Sequence, residues 1–205
     1  MHIITLLRHG ESVGNANGQI QGQSDHLLTE LGRQQASDLA QMWLTEKRNF
    51  DWIISSPLSR TRQTAEIIAG ALGISYELDP DWKERGFGDF EGKSFEEIMQ
   101  ENPYLDFNHP YLRPGGSGES LIDTFHRAGD ALQRLLQRPG GAYLVISHGA
   151  FLNMMLYAIL GLSPHSSPRS PRFVFSNTGF VDLTYNPDIP QWRFHRFWNI
   201  SNSFG

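Results

Sequence analysis

The chain has 205 residues, enough for one well-buried domain, and nothing in its length demands two. Its 17 basic against 22 acidic side chains leave a net charge of −5, which argues against a nucleic-acid binder. It has no cysteine, so disulfides and thiolate metal sites are excluded. The apolar part of residues 1–8 is too short for a signal peptide. The longest apolar helical run, 150–162, carries Asn153 and falls short of the roughly 20 residues a bilayer span needs. The expectation is a cytoplasmic protein with no membrane partner.

In chain order, the first signal is the apolar run 3–7, which leads into Arg8-His9-Gly10-Glu11-Ser12. A cation, an imidazole and a bend then sit where a buried strand ends, and open α/β sheets collect ligands at the carboxyl ends of their strands. Residues 14–24, rich in Gly, Asn and Gln, read as a loop able to fold over a ligand. Thr29 reads as a helix N-cap with Glu30 in the first turn, and Leu31, Leu39, Met42 and Trp43 share roughly one face. The strand-like run 51–54 then enters Ser55-Ser56-Pro57-Leu58-Ser59-Arg60, where Ser56 reads as a cap and Pro57 as the first helical position. Ala65, Ile68 and Leu72 continue that helix to Gly73, with Arg60 in its first turn and Arg62 rotated about 200° from it, either solvated or behind the residues that line the site.

Gly88 and Gly92-Lys93-Ser94 nearly imitate two nucleotide motifs. A P-loop would need glycine at position 87 and a dinucleotide loop glycine at 91, where Phe87 and Glu91 stand, so a nucleotide site is set aside. Residues 94–117 are broken by Pro103, Pro110, Pro114 and paired glycines, and read as a lid inserted between core elements. This lid carries Phe95, Tyr104, Leu105, Phe107, Tyr111 and Leu112, with Arg113 and the flanking Lys93 as its cations. Ser120 and Asp123 form a capping box, and Leu121, Phe125, Leu132, Leu135 and Leu136 carry a helix towards Pro139. The run 143–146 then enters Ser147-His148-Gly149 and an apolar helical pattern through Phe151, Leu152, Met155, Leu156, Ile159 and Leu160. Residues 173–183 and 192–198 read as closing strands, the first interrupted at Asn177-Thr178-Gly179.

Three strand-to-helix junctions from distant parts of the chain therefore converge on one edge of a parallel sheet. They bring Arg8, His9, Arg60 and His148 into one basic pocket of phosphate size. The other six histidines (His2, His26, His109, His126, His165, His195) show no paired spacing for zinc.

These residues carry a family resemblance. Arg8-His9-Gly10, the set Asn15, Gln21-Gly22, Asp25, Leu28-Thr29, Leu31-Gly32 and Gln35-Ala36, the run 56–65, Glu84 within 84–92, and Ser147-His148-Gly149 resemble the histidine phosphatase superfamily. Within it, they look most like the cofactor-independent acid phosphatases of the phosphoglycerate mutase-like branch. The pattern departs at Leu27, where proline is usual, and at the extra residues within 115–120. The resemblance implies an α/β fold of three α/β/α layers on a mostly parallel central sheet, with an inserted lid at about 94–117 in a single domain over 1–205. It further implies a small-molecule phosphate ester as partner, no nucleic acid, no cofactor and no metal, and a homodimer stays possible.

The chemistry follows from the residue types. A phosphate ester repels nucleophiles, and a site without a metal must supply the charge compensation itself. Guanidinium forks suit this because they bind phosphoryl oxygens bidentately and stay protonated, a role for Arg8 and Arg60. A neutral imidazole can attack and form a phosphohistidine. The residues alone offer two candidates, His9 and His148; the resemblance makes His9 the nucleophile and His148 a cationic donor. It also makes Glu84 the general acid and puts Asn15, Gln21, Gly22 and Gly149 on the phosphate, while Glu91 falls to a structural turn. Three functions remain to be compared: phosphomonoester hydrolysis, phosphoglycerate mutation, and phospho-ligand binding without catalysis. A binder needs the cations but not Glu84, and Gln21-Gly22 with Phe90-Glu91-Gly92 resembles the phosphatases, so hydrolysis is favoured.

Overall fold

Alternation along the strands sets the layers. In β1 (His2–Arg8), Ile4 and Leu6 point to one side of the sheet while Leu7 points to the other. After the short helix α1 (Val13–Ala16) comes α2 (Glu30–Thr45), then β2 (Trp52–Ser55), α3 (Ser59–Leu72) and the brief β3 (Tyr76–Leu78). The lid segment holds α4 (Phe95–Glu101), and α5 (Leu121–Leu136), β4 (Gly141–Ser147), α6 (Gly149–Leu160), β5 (Phe180–Asn186) and β6 (Gln191–Trp198) complete the order. The computed structural model describes residues 1–165 and 170–199. Among them, no helix is long and apolar enough to cross a membrane.

The six strands form one sheet in the order β3-β2-β4-β1-β5-β6. The pairings among β3, β2, β4 and β1 are parallel, and β5 and β6 add antiparallel. On one face, α5 and α6 pack Ala128, Ala131, Leu135, Phe151, Leu152 and Met155 against Ile4, Leu6, Tyr143 and Val145. On the other, α2 and α3 pack Leu39, Trp43, Ala65 and Ile68 against Leu7, Ile53, Leu144 and Ile146. Helices therefore cover both faces, as continuous apolar parallel strands require.

Local expectations held at several ends. Thr29 accepts the Gly32 N–H as the cap of α2, the Ser120–Asp123 capping box starts α5, and Gly73 ends α3 with φ +69°. Four expectations are corrected. Leu31 is exposed, and Gly32, Ala36 and Ala40 take its place on the packed face of α2, because small residues let the helix approach its neighbours. The loop 14–24 starts inside α1, whose Ser12 and Asn15 form a capping box. Helix α3 begins at Ser59 rather than Pro57, and Ser56 does not cap it. The first closing strand starts only at Phe180, since Thr178 at φ +56° turns the chain sharply just before it.

Candidate active site

The site stands at the carboxyl ends of three adjacent parallel strands. Arg8 is in register with Ser147, and Ser55 with Ile146, so the residues just past each strand reach one level of the sheet edge. The buried rings of His9 and His148 meet edge-on there, 5.2 Å between centroids.

His9 Nδ1 lies 2.6 Å from the Gly10 carbonyl oxygen. A carbonyl only accepts, so Nδ1 carries the proton and the lone pair is on Nε2. Burial pushes the His9 pKa well below 6.5, and the Arg60 and Arg8 cations push the same way. The ring is a neutral imidazole with a nucleophilic nitrogen.

His148 is held in the other tautomer. Arg60 Nε donates to its Nδ1 at 3.2 Å, so Nε2 carries the proton and donates to Ser56 Oγ at 2.9 Å. Burial, with Arg60 and then the His9 and Arg8 charges adding to it, also pushes this pKa well below 6.5. The expected cationic His148 is thus corrected to a neutral N–H donor.

Arg8 Nη1 donates to the Phe175 carbonyl at 2.7 Å, while its buried Nε meets no acceptor among the described residues. An unsatisfied guanidinium N–H is costly, and an anion would satisfy it. Arg60 is 1% exposed and organises the loop: Nη2 donates to Gly22 O at 2.7 Å and Nη1 to Ser24 O at 2.8 Å. Burial draws its pKa down to about 10, against the pull of Glu84 and Asp25. The loop in turn caps α3, because Asp25 accepts both the N–H and the hydroxyl of Ser59 at 2.6 Å.

Glu84 lies between two turns, Pro80–Trp82 and Gly88–Phe90. Its carboxylate accepts the N–H groups of Arg85 (2.9 Å), Ala150 (3.2 Å) and Phe151 (2.8 Å). Ala150 and Phe151 open α6, whose own cap position, His148, offers no side-chain bond. A carboxylate from a distant segment therefore sits at the positive end of that helix dipole. Its bonds to Ala150 and Phe151 set it just past His148 and Gly149, at the same edge of the sheet. Gly149 opens the helix beside it, with its N–H among the unpaired donors of a helix start.

Asn15 and Gln21 turn their amide oxygens to Ser12 Oγ, at 2.9 and 2.7 Å. Their NH₂ groups are then the ends suited to an anion. Gly22 has φ +51°, and a Cβ there would lie 2.0 Å from Glu91 Oε1. That oxygen accepts the N–H groups of Gln23 and Phe87, both at 2.9 Å, so Glu91 is the structural carboxylate that was expected.

Residues 4–199 match the model of the histidine phosphatase superfamily, branch 1. The chain belongs to that superfamily. It is 39% identical, over 170 residues, to a Yersinia enterocolitica protein named "Probable phosphoglycerate mutase GpmB", a match covering 81% of this chain and 78% of the relative. Among solved structures, it is similar to a mycobacterial glucosyl-3-phosphoglycerate phosphatase complexed with VO3, with TM-score 0.83, 26% identity, and coverage of 98% and 100% of the two chains. A phosphoserine phosphatase mutant of Entamoeba histolytica, in complex with phosphoserine, matches at TM-score 0.80 and 30% identity over 96% of each chain. The fold and the enzyme class expected for a histidine phosphatase both stand.

In this histidine phosphatase two residues named above for other reasons, Ser56 and Asn177, bond to the groups of the site. Ser56, read as a helix cap, instead receives the His148 Nε2 proton. Asn177 Nδ2 donates to the His9 carbonyl (3.2 Å) and to Asn15 Oδ1 (3.3 Å), tying the β5 entrance to the first junction. The signal was the Asn-Thr-Gly interruption of an otherwise apolar run.

Proposed function

We propose that this histidine phosphatase hydrolyses small-molecule phosphate monoesters by passing the phosphoryl group to His9 Nε2 and then to water. The observation that supports this best is the Nδ1–H bond from His9 to Gly10 O, which presents a neutral Nε2 lone pair beside two guanidiniums. In the first transfer the N–P bond forms as the ester P–O bond breaks, and in the second, water displaces the imidazole. Charge on the transferring oxygens is met by Arg8, by the remaining donors of Arg60, by the amides of Asn15 and Gln21, and by the Nε2–H of His148 once a phosphoryl oxygen displaces Ser56 Oγ from it. The backbone of Gly22 and Gly149 completes the cradle. Glu84 gives a proton to the leaving oxygen and later takes one from water. Because the protein's own cations compensate the charge, no step needs a metal.

The test is a rapid quench with 32P-labelled substrate. Wild type should give an acid-labile, base-stable phosphoenzyme, and His9→Ala should give none while staying folded. EDTA-treated enzyme should keep its activity; restoration of a lost activity by a divalent ion would overturn the metal-free mechanism.

A second reading, phosphoglycerate mutase, is favoured by the name of the Yersinia enterocolitica relative. 31P NMR with 3-phosphoglycerate, with and without bisphosphoglycerate, separates the two. Release of inorganic phosphate supports hydrolysis, and appearance of the 2-phospho isomer supports mutation.

A further inference from the structure

Glu84 is carried by a segment with no strand or long helix to fix it, yet its carboxylate must meet a leaving oxygen closely. The segment is held by an ion pair from elsewhere. Arg127 of α5 donates Nη1 to the carbonyls of Asp81 (2.8 Å) and Lys83 (2.7 Å), and Nη2 to that of Glu84 itself (3.1 Å). Its Nε and Nη2 also engage Glu119 Oε1 (2.9 Å) and Oε2 (2.7 Å). A guanidinium has five N–H donors, and these contacts use all of them, so none is left for an anion. The same Glu119 Oε2 accepts the Gly86 N–H at 2.9 Å, just past Glu84. Arg127 lies 4.6 Å from the Phe151 ring centroid, and the Phe151 N–H holds the Glu84 carboxylate. Both members of the pair are largely shielded, with side chains 18% and 24% exposed.

We infer that Arg127 and Glu119 are positioning residues that set Glu84 as the acid. The inference rests on the proposed role of Glu84. The guanidinium collects the carbonyls of Asp81, Lys83 and Glu84 itself, and the carboxylate holds the Gly86 amide beyond it. The pair thereby fixes the backbone on both sides of Glu84, and with it the reach of the side chain. Arg127 has no N–H left for an anion, and the Glu119 carboxylate would repel one. Their loss should therefore spare phosphate binding and injure only the step that needs a proton.

The experiment measures kcat/KM, which reports the first transfer, for Glu84→Gln and Arg127→Lys. The substrates are an alkyl phosphate and 4-nitrophenyl phosphate, whose leaving group departs without a proton. Misplacing the acid by part of an ångström should cost Arg127→Lys about 10-fold to 100-fold on the alkyl ester. The aryl ester and the vanadate inhibition constant should change by less than about 3-fold, since the arginine cradle is intact. In the Glu84→Gln background, Arg127→Lys should add less than about 3-fold, because residues acting as a unit are not additive. Equal losses on the two substrates, or full additivity with Glu84→Gln, overturn the inference. If Glu84→Gln itself cuts both substrates equally, its acid role fails and the inference falls with it. If Glu84→Gln is selective and Arg127→Lys is not, the inference alone fails. Glu119→Gln keeps size and one acceptor oxygen; it should show the same pattern more weakly, and it decides the matter if Arg127→Lys does not fold.

Discussion

Gly22→Ala should destabilise the protein by an amount that its surroundings define. At φ +51° an L-residue costs about 1–2 kcal/mol that glycine does not. The new Cβ would lie 2.0 Å from Glu91 Oε1 and 2.5 Å from its Cδ, so the carboxylate must swing aside. It then gives up the N–H groups of Gln23 and Phe87, each at 2.9 Å. Glu91 is only half-buried, so water replaces part of each bond and about 1 kcal/mol apiece is the fair loss. The sum is roughly 3–4 kcal/mol, well below the 5–15 kcal/mol typical of a stable domain. The variant should fold, with its urea midpoint lowered by about 1.5–2 M at an m value near 2 kcal/mol/M. KM should rise as well, because Gly22 O is an acceptor for Arg60. In a Glu91→Ala background the two bonds are already gone and the collision is removed. There the glycine substitution should cost only the conformational part, about 1–2 kcal/mol. A loss under about 1 kcal/mol in the wild-type background, or the same loss in both backgrounds, would refute the reasoning.

Stability should depend on pH through the two buried histidines. Both are held neutral with pKa values well below 6.5, so below about pH 6.5 the unfolded chain binds protons that the folded chain refuses. Stability therefore falls on acidification, by up to about 1.4 kcal/mol per pH unit for each ring, and is flat above about 6.5. Urea unfolding from about pH 5 to 7.5 should show this slope, and His9→Asn and His148→Asn should each flatten it; a wild type without slope contradicts the burial argument. Selectivity should follow the lid, where Arg113 is paired with Asp123 and Lys93 with Glu101, while Phe107 packs among Phe87, Phe90 and Phe95. A second anion on the leaving group finds these cations engaged, so kcat/KM should favour an alkyl phosphate with an uncharged leaving group over 3-phosphoglycerate of similar leaving-group pKa. The opposite order would strengthen the mutase reading.

Much of this was legible in the sequence because the decisive elements are local. An apolar run ending in Arg8-His9-Gly10, and another ending in Ser147-His148-Gly149, each announce a strand, a bend and a reactive group within a few residues. What was not legible depends on partners distant in sequence. Nothing near Ser59 says that Asp25 will cap α3, and Pro57 after Ser56 imitates a local start convincingly. The charge on His148 was misjudged for the same reason, since only the folded packing shows Arg60 Nε donating to it. Leu31 has the right spacing for the packed face, but the approach between α2 and its neighbours is set by Gly32 and Ala36. Arg127 carries no local signal, because its five acceptors lie on residues 81 to 119.

The strand order carries a kinetic consequence. Strand β4 comes late in the chain, yet it slots between β2 and β1, both made long before it. Such parallel pairings close large loops and are slow to form. Until β4 enters, the first two junctions face a gap in the sheet, and His148 and the start of α6 are elsewhere. During refolding, helices should therefore appear early and catalytic competence last, in the same phase as the burial of Val145 and Ile146. A chain ending before residue 141 would keep Arg8, His9, Arg60 and Glu84 and still have no site in which to use them.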